Sequence, residues 1–299
     1  MAQGPVLFDR NLLRARRRRA QTLGASEFLI ERAAADIAER LAAVLRTFGL
    51  AVDLGTPGDA VRRALKATGK VGTIVSANPC ARAMPDAALA VAADEEVLPF
   101  RDGSVDLVTS VLSLQFVNDL PGALVQIRRA LRPDGLLLAA LLGGDTLVEL
   151  RQAFAAAEAE IEGGVSPRVA PFADLRELGA LLQRAGFALP VTDVERLTVR
   201  YPSPLDLMHD LRRMGATNAL IERRRRPLRR ATLARMMQIY GAEFADADGR
   251  IRATFELVWL SGWAPHESQQ QPLKPGSARR RLAEALGTTE RSAGEKPER

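Results

Sequence analysis

The sequence predicts an α/β fold: a doubly wound, mostly parallel sheet with a helical insertion. Three observations predict it. From residue 50 onward, short apolar runs alternate with stretches of helical periodicity. The run Leu136–Leu142 is apolar throughout, as suits a strand buried on both faces. Turns rich in Gly and Asp follow the apolar runs, as at Gly55 and at Gly143-Gly144-Asp145.

The elements follow in order. Residues 1–25 form a basic arm, mobile or helical. Glu27–Phe48 repeats apolar residues at helical spacing (Leu29, Ile30, Ala33, Ile37, Leu41) and reads as an amphipathic helix lying on the domain that follows. Leu50–Leu54 is a strand ending at Gly55, and Ala60–Thr68 a helix. Gly72–Ser76 and Ala87–Ala92 are further strands, and Val105–Ser110 is entered through the turn Arg101–Ser104. Asp119–Leu131 is a helix stopped by Arg132-Pro133-Asp134-Gly135. Leu136–Leu142 leads to a helix over Thr146–Glu160, with Asp145 as its N-cap. Residues 172–186 form a helix, and Leu189–Val199 a strand. Ser203–Ala242 is a helical insertion, interrupted at Gly215 and Pro227, and Ala253–Trp263 is the last strand. The main domain therefore spans 26–270, with the insertion at about 203–245. The polar stretch 271–299 reads as a disordered tail.

Composition narrows the function classes. Apolar residues make up 47% of the 299, enough for a sizeable core. Cys80 is the only cysteine, which excludes a disulfide framework and a multi-cysteine metal centre. His209 and His266 show no ligand spacing, so no metal site is expected. No run of about 18 apolar residues suggests a membrane span. The basic run Arg16–Arg19 follows only a short apolar patch, the wrong order for a secretory signal, so a cytoplasmic location is expected. The net charge of +6 is carried by Arg, with basic runs also at Arg223–Arg226 and Arg279–Arg281. No aromatic interleaving, finger or helix-turn-helix spacing accompanies these runs, so they read as solvated faces, not as a specific nucleic-acid surface.

In an open parallel sheet, ligands bind beyond the carboxyl ends of the strands. The loops to inspect are therefore Asp53–Asp59, Ala93–Phe100, Ser113–Asp119 and Gly143–Thr146. Asp53-Leu54-Gly55, Leu98-Pro99-Phe100, Asp106-Leu107-Val108 and Leu131–Gly135 together resemble the class I S-adenosylmethionine-dependent methyltransferases. The resemblance implies a Rossmann-like domain.

Further segments are similar to one branch of that superfamily, the complex I assembly factors reported as arginine hydroxylases and their bacterial relatives. They are Phe8-Asp9-Arg10, Ala93–Glu96, Val117–Pro121, Gly143–Leu147 with Glu149-Leu150-Arg151, and His266-Glu267-Ser268. The malonyl-carrier methyltransferases of biotin synthesis resemble the chain more distantly.

The resemblance implies S-adenosylmethionine as cofactor, held by Asp53, Gly55, Gly58, Asn78, Asp94, Glu95 and Ser113. It also implies a protein substrate, such as an unassembled complex I subunit. Asp145, Tyr201 and His266 are the substrate or partner candidates, and no residue stands out as catalytic. The chain departs from the family's first loop, DLGxGxG, by placing Pro57 and Asp59 where glycines are usual. Its second strand ends in Ser76-Ala77-Asn78-Pro79, without the usual ribose-binding acid. Three readings follow: methyl transfer or hydroxylation on a protein, a non-catalytic assembly chaperone on the same fold, and methyl transfer to a malonyl carrier.

Overall fold

The computed structural model describes residues 6–79, 89–270, 283–284 and 287–289. Met1–Pro265 form one compact unit and His266–Arg299 another. In the second unit, His266 Nδ1 lies 2.7 Å from Ser268 Oγ in a short exposed turn.

The first unit holds a seven-stranded sheet. Its strands are β1 (Phe48–Leu54), β2 (Val71–Ala77), β3 (Ala90–Val91), β4 (Val105–Val111), β5 (Leu131–Leu142), β6 (Ala188–Tyr201) and β7 (Ile251–Trp263). Their spatial order is β3-β2-β1-β4-β5-β7-β6, with β7 antiparallel to both neighbours. The fold is thus doubly wound, mostly parallel and Rossmann-like, as the sequence predicts. β1 pairs with β2 on one side and β4 on the other, so the strand order reverses there. A crevice opens beyond the carboxyl ends at such a reversal.

Eight helices flank the sheet among the described residues: α1 (Arg10–Thr22), α2 (Phe28–Ala43), α3 (Ala60–Ala67), α4 (Leu120–Ala130), α5 (Val148–Glu162), α6 (Leu175–Arg184), α7 (Pro204–Arg213) and α8 (Arg230–Phe244). β5 shows why both faces need cover. Leu137, Ala139 and Leu141 pack with α4 and α6, while Leu136, Leu138 and Ala140 pack with α2 and α3. Successive strand residues face opposite sides, so a wholly apolar run serves two cores. Burying each Leu or Ile contributes about 1.5–3 kcal/mol. A third core joins α5 to α7, α8 and the far ends of β6 and β7.

The boundaries that differ have local causes. The helix expected over Glu27–Phe48 stops at Ala43, where Lys70 Nζ donates to the carbonyls of Leu41 and Ala42 at 2.8 and 2.9 Å. Its final carbonyls are thereby satisfied, and Phe48 starts β1 instead. α5 begins at Val148, not Thr146, because Thr146 Oγ1 accepts from the Glu256 N–H of β7 at 3.1 Å. Leu147 then takes the N-cap position in the left-handed region, and Asp145, expected as that cap, pairs with Arg196. The insertion is two helices, α7 and α8, rather than one broken stretch. Gly215, at φ +69°, turns the chain after α7 so closely against α1 that a Cβ there would lie 2.9 Å from the Arg17 Cα. Of the strand expected at Ala87–Ala92, residues 87–88 lie outside the described residues, as does Cys80.

Candidate functional site

The glycine loop after β1 is tied down from below. Asp53 is 2% exposed and accepts from Thr56 Oγ1 at 2.6 Å and Thr109 Oγ1 at 3.3 Å. Burial pushes its carboxyl up to about 6. Thr56 Oγ1 also accepts from the Val111 N–H at 3.0 Å, so this network joins β1 to β4 beneath the loop. Asn78 supports the loop from the other side, donating from Nδ2 to the Thr56 carbonyl at 3.1 Å. Asp59 pairs with Arg62 and Arg63 of α3, both at 2.9 Å.

Gly55 and Gly58 both have positive φ, at +72° and +74°. Such a loop suits close approach of a ligand to its backbone. Here the approach is taken by the protein's own side chains. A Cβ on Gly55 would meet Ser113 Oγ and lie 2.5 Å from Glu95 Oε1. A Cβ on Gly58 would lie 2.6 Å from Glu27 Oε1.

The acid pair expected to hold a cofactor is held by α1. Asp9 caps that helix, accepting from the Leu12 N–H at 3.0 Å. Arg10, Arg14 and Arg17 then share one face, since i, i+4 and i+7 align at 3.6 residues per turn. Arg10 pairs with Asp94 at 2.6 Å and with Glu95, and Arg14 pairs with Asp94. Arg17 lies 3.6 Å from Glu95 and donates to Ser113 Oγ at 3.3 Å. Ser113 Oγ in turn donates to Glu95 Oε1 at 2.5 Å, and Glu95 is 1% exposed.

The residues before α1 are anchored as firmly. The Leu7 and Phe8 N–H groups donate to Asn118 Oδ1 at 2.8 and 2.7 Å, and Phe8 is buried against Phe116. The Asp9 N–H donates to the Ala219 carbonyl at 2.8 Å. The arm expected over residues 1–25 is therefore helical and docked from Arg10 to Thr22, not mobile there.

These contacts decide whether S-adenosylmethionine fits this form of the chain. The cleft beside Pro57, Gly58 and Asn78 has a volume of about 40 Å³. Ligand pockets of this kind occupy roughly 300–1,000 Å³. The glycines and the acid pair carry suitable chemistry for the cofactor, and with α1 docked the acids are engaged by Arg10, Arg14 and Arg17.

The large cavity lies on the other side of Arg17 and Pro57, which line both spaces. Its volume is about 660 Å³, between the ends of β4 and β5, α5 and the insertion. Leu150, Phe154, Met208 and Phe255 are among its walls, and five arginines line it without any Asp or Glu. None of the ten candidates named in the sequence analysis lines it. Asp145 pairs with Arg196, and Tyr201 donates its hydroxyl to Asp210 at 2.9 Å, its phenol pushed up by burial. His266 belongs to the second compact unit. Among the described residues no cluster of three His, Cys, Asp or Glu could hold a metal, and no helix is long and apolar enough to cross a membrane.

Arg10, Arg14 and Arg17 are site residues that the sequence candidates omit: Arg10 stands there only as part of Phe8-Asp9-Arg10 and Arg17 only within the basic run Arg16–Arg19, and the signal that joins them is the i, i+4, i+7 spacing. Within the distinctive Gly143–Arg151 segment, Glu149 accepts from the Thr254 N–H at 3.0 Å and Arg151 donates to the Gly144 carbonyl at 2.7 Å, while Thr146, Leu147 and Leu150 line the large cavity.

Residues 52–139 match the methyltransferase domain family. A Danio rerio protein named arginine-hydroxylase NDUFAF5, mitochondrial, is 39% identical over 284 residues, covering 92% of this chain and 88% of its own length. The Homo sapiens protein of that name is 38% identical, covering 91% of this chain and 81% of its own. A malonyl-[acyl-carrier protein] O-methyltransferase of Laribacter hongkongensis is 42% identical over 62% of this chain and 60% of its own. Among solved structures, the YcgJ protein of Bacillus subtilis superposes with a TM-score of 0.53 at 15% identity, covering 79% of this chain and 99% of its own. That likeness shows the fold alone.

Proposed function

Because this chain belongs to the family of the mitochondrial arginine hydroxylase NDUFAF5, we propose that it is a protein-directed assembly factor on a methyltransferase scaffold, with a donor site closed by its own first helix. By the family resemblance, its partner is an unassembled subunit of respiratory complex I, met in the cytoplasm. The observation that carries this reading is the seal of Arg10, Arg14 and Arg17 on Asp94 and Glu95. A guanidinium paired to a buried carboxylate takes the place where a donor's polar groups would bind. Releasing it leaves an uncompensated buried charge, at a cost of several kcal/mol.

Arginine hydroxylation would need a site that receives a substrate guanidinium. A substrate guanidinium entering the large cavity would meet five others and no carboxylate. A second reading has its own observation. Gly55 and Gly58 keep the positive φ of a donor loop, and Asp94 and Glu95 lie beside it. Withdrawal of α1 would then open a methyl-transfer site.

Calorimetric titration with S-adenosylmethionine and S-adenosylhomocysteine tests the proposal. The natural chain should show no binding. Micromolar binding by that chain would overturn the seal. Arg10→Ala combined with Arg14→Ala and Arg17→Ala separates the readings: gain of binding supports a gated enzyme, and none supports a non-catalytic scaffold. Co-purification with complex I subunits tests the partner.

A further inference from the structure

The cavity of about 660 Å³ has a chemistry of its own in the form with α1 docked. Its deep walls are apolar and buried: Leu150, Phe154, Leu211 and Phe255 are all less than 9% exposed. Its charged lining is of one sign. Arg17 and Arg168 already have acidic partners, Glu95 and Glu158. Arg16, Arg19 and Arg212 have none within ion-pair distance among the described residues.

Arg19 and Arg212 are exposed, so they stand at the cavity's mouth, at the carboxyl-terminal turns of α1 and α7. Arg16 is half-buried beside them and donates to the Thr217 carbonyl at 2.8 Å and to that of Asn218. Partial desolvation and the positive fields of Arg223 and Arg19 outweigh the opposing field of Asp9 and hold its guanidinium below the usual arginine range. Unneutralised like charges at the mouth of an apolar chamber leave an anion as the complementary ligand.

We infer that this cavity is a binding site for an amphiphilic anion, its apolar chain among Leu150, Phe154 and Phe255 and its carboxylate or phosphate head at Arg16, Arg19 and Arg212. Each part of the assignment excludes a competitor. A cationic head would meet arginines and no carboxylate among the lining residues. A fully polar anion would leave the Leu and Phe walls hydrated or dry without gain. The chain sits in about the volume expected for a small-molecule site.

The test uses the full chain with alkyl probes of one chain length below their micelle concentrations. Dodecanoate and dodecyl phosphate carry the two anionic heads, and dodecyltrimethylammonium and dodecyl maltoside serve as cationic and neutral controls. Calorimetry should show one anionic probe per chain, bound about tenfold or more tighter than either control, as expected for charge-assisted hydrogen bonds. The ratio between dodecanoate and dodecyl phosphate tells which head the arginines prefer. Arg19→Gln with Arg212→Gln should weaken the anionic probes about tenfold while leaving the neutral one unchanged. Both residues are exposed, and thermal unfolding verifies that the variant is folded. Ala219→Phe, which narrows the chamber, should weaken all chain binding. Equal affinity for anionic and cationic probes, indifference to the arginine pair, or no binding of either anion would overturn the assignment.

Discussion

Among the described residues, the carboxyl edge of the sheet offers carboxylates beside a narrow cleft beyond β1, β2 and β3, whereas beyond β4 and β5 it offers a wide cavity lined by no carboxylate. The first region is a cleft of about 40 Å³ and the second a cavity of about 660 Å³. α1 separates them and accounts for both. Its Arg10, Arg14 and Arg17 are used on Asp94 and Glu95, while Arg16 and Arg19, off that face, line the cavity. The difference teaches that one helix can neutralise the acids on one side of it and line an apolar chamber on the other.

The contrast can be broken first at its strongest contact. Arg10→Ala leaves buried Glu95 with only Arg17 at 3.6 Å and Ser113, and should lower stability by about 3 kcal/mol in urea unfolding. Adding Glu95→Gln should recover much of that loss; a double-mutant cycle without coupling would mean that the pair is not the seal.

Asp53 sharpens the comparison through pH. Its carboxyl is raised to about 6 in the folded chain against about 4 when unfolded. Between those values the folded chain retains a proton that the unfolded chain has lost, so stability falls as pH rises through this window. The full effect is about 3 kcal/mol above pH 6 and vanishes below pH 4. Asp53→Asn should therefore be more stable than the natural chain at pH 8 and no more stable at pH 4, read from thermal midpoints.

A smaller effect concerns the loop itself. Gly55→Ala adds a Cβ against Glu95 at φ +72° and should cost about 2–3 kcal/mol. Gly163→Ala, at φ +69° with nothing within 4 Å, should cost only about 1 kcal/mol. Equal losses in chemical denaturation would mean that the Gly55 face is not packed. Least of all, Tyr201→Phe removes one hydrogen bond to Asp210 outside both regions, and should cost about 1 kcal/mol while leaving ligand binding at either site unchanged.

The fold was legible because its signals are local. Alternation of strand and helix, the apolar run Leu136–Leu142 and the turns at Gly55 and Asp134-Gly135 each follow from neighbouring residues. The candidate site was legible only in part, and its placement of Asp94 and Glu95 beside Gly55 rests on strand ends that a parallel fold brings together. The pairing of these acids with residues some 80 positions earlier carries no local signature. Asp145 illustrates the converse. Its sequence position suits a helix cap, but Thr146 is drawn onto β7 and the cap moves to Leu147. No pattern within residues 140–150 reports on a strand that begins at Ile251.

The docking of α1 also bears on the order in which the chain acquires its shape during synthesis. Its anchors are Asp94 and Glu95, then Asn118, then Ala219 and Arg223, at separations reaching 214 residues. Contacts so distant in sequence close late and slowly. Until the segment around residue 220 has left the ribosome, the amino-terminal end of the Arg-rich helix lacks the Ala219 carbonyl and Arg223, so the pairs to Asp94 and Glu95 are the contacts available to it first.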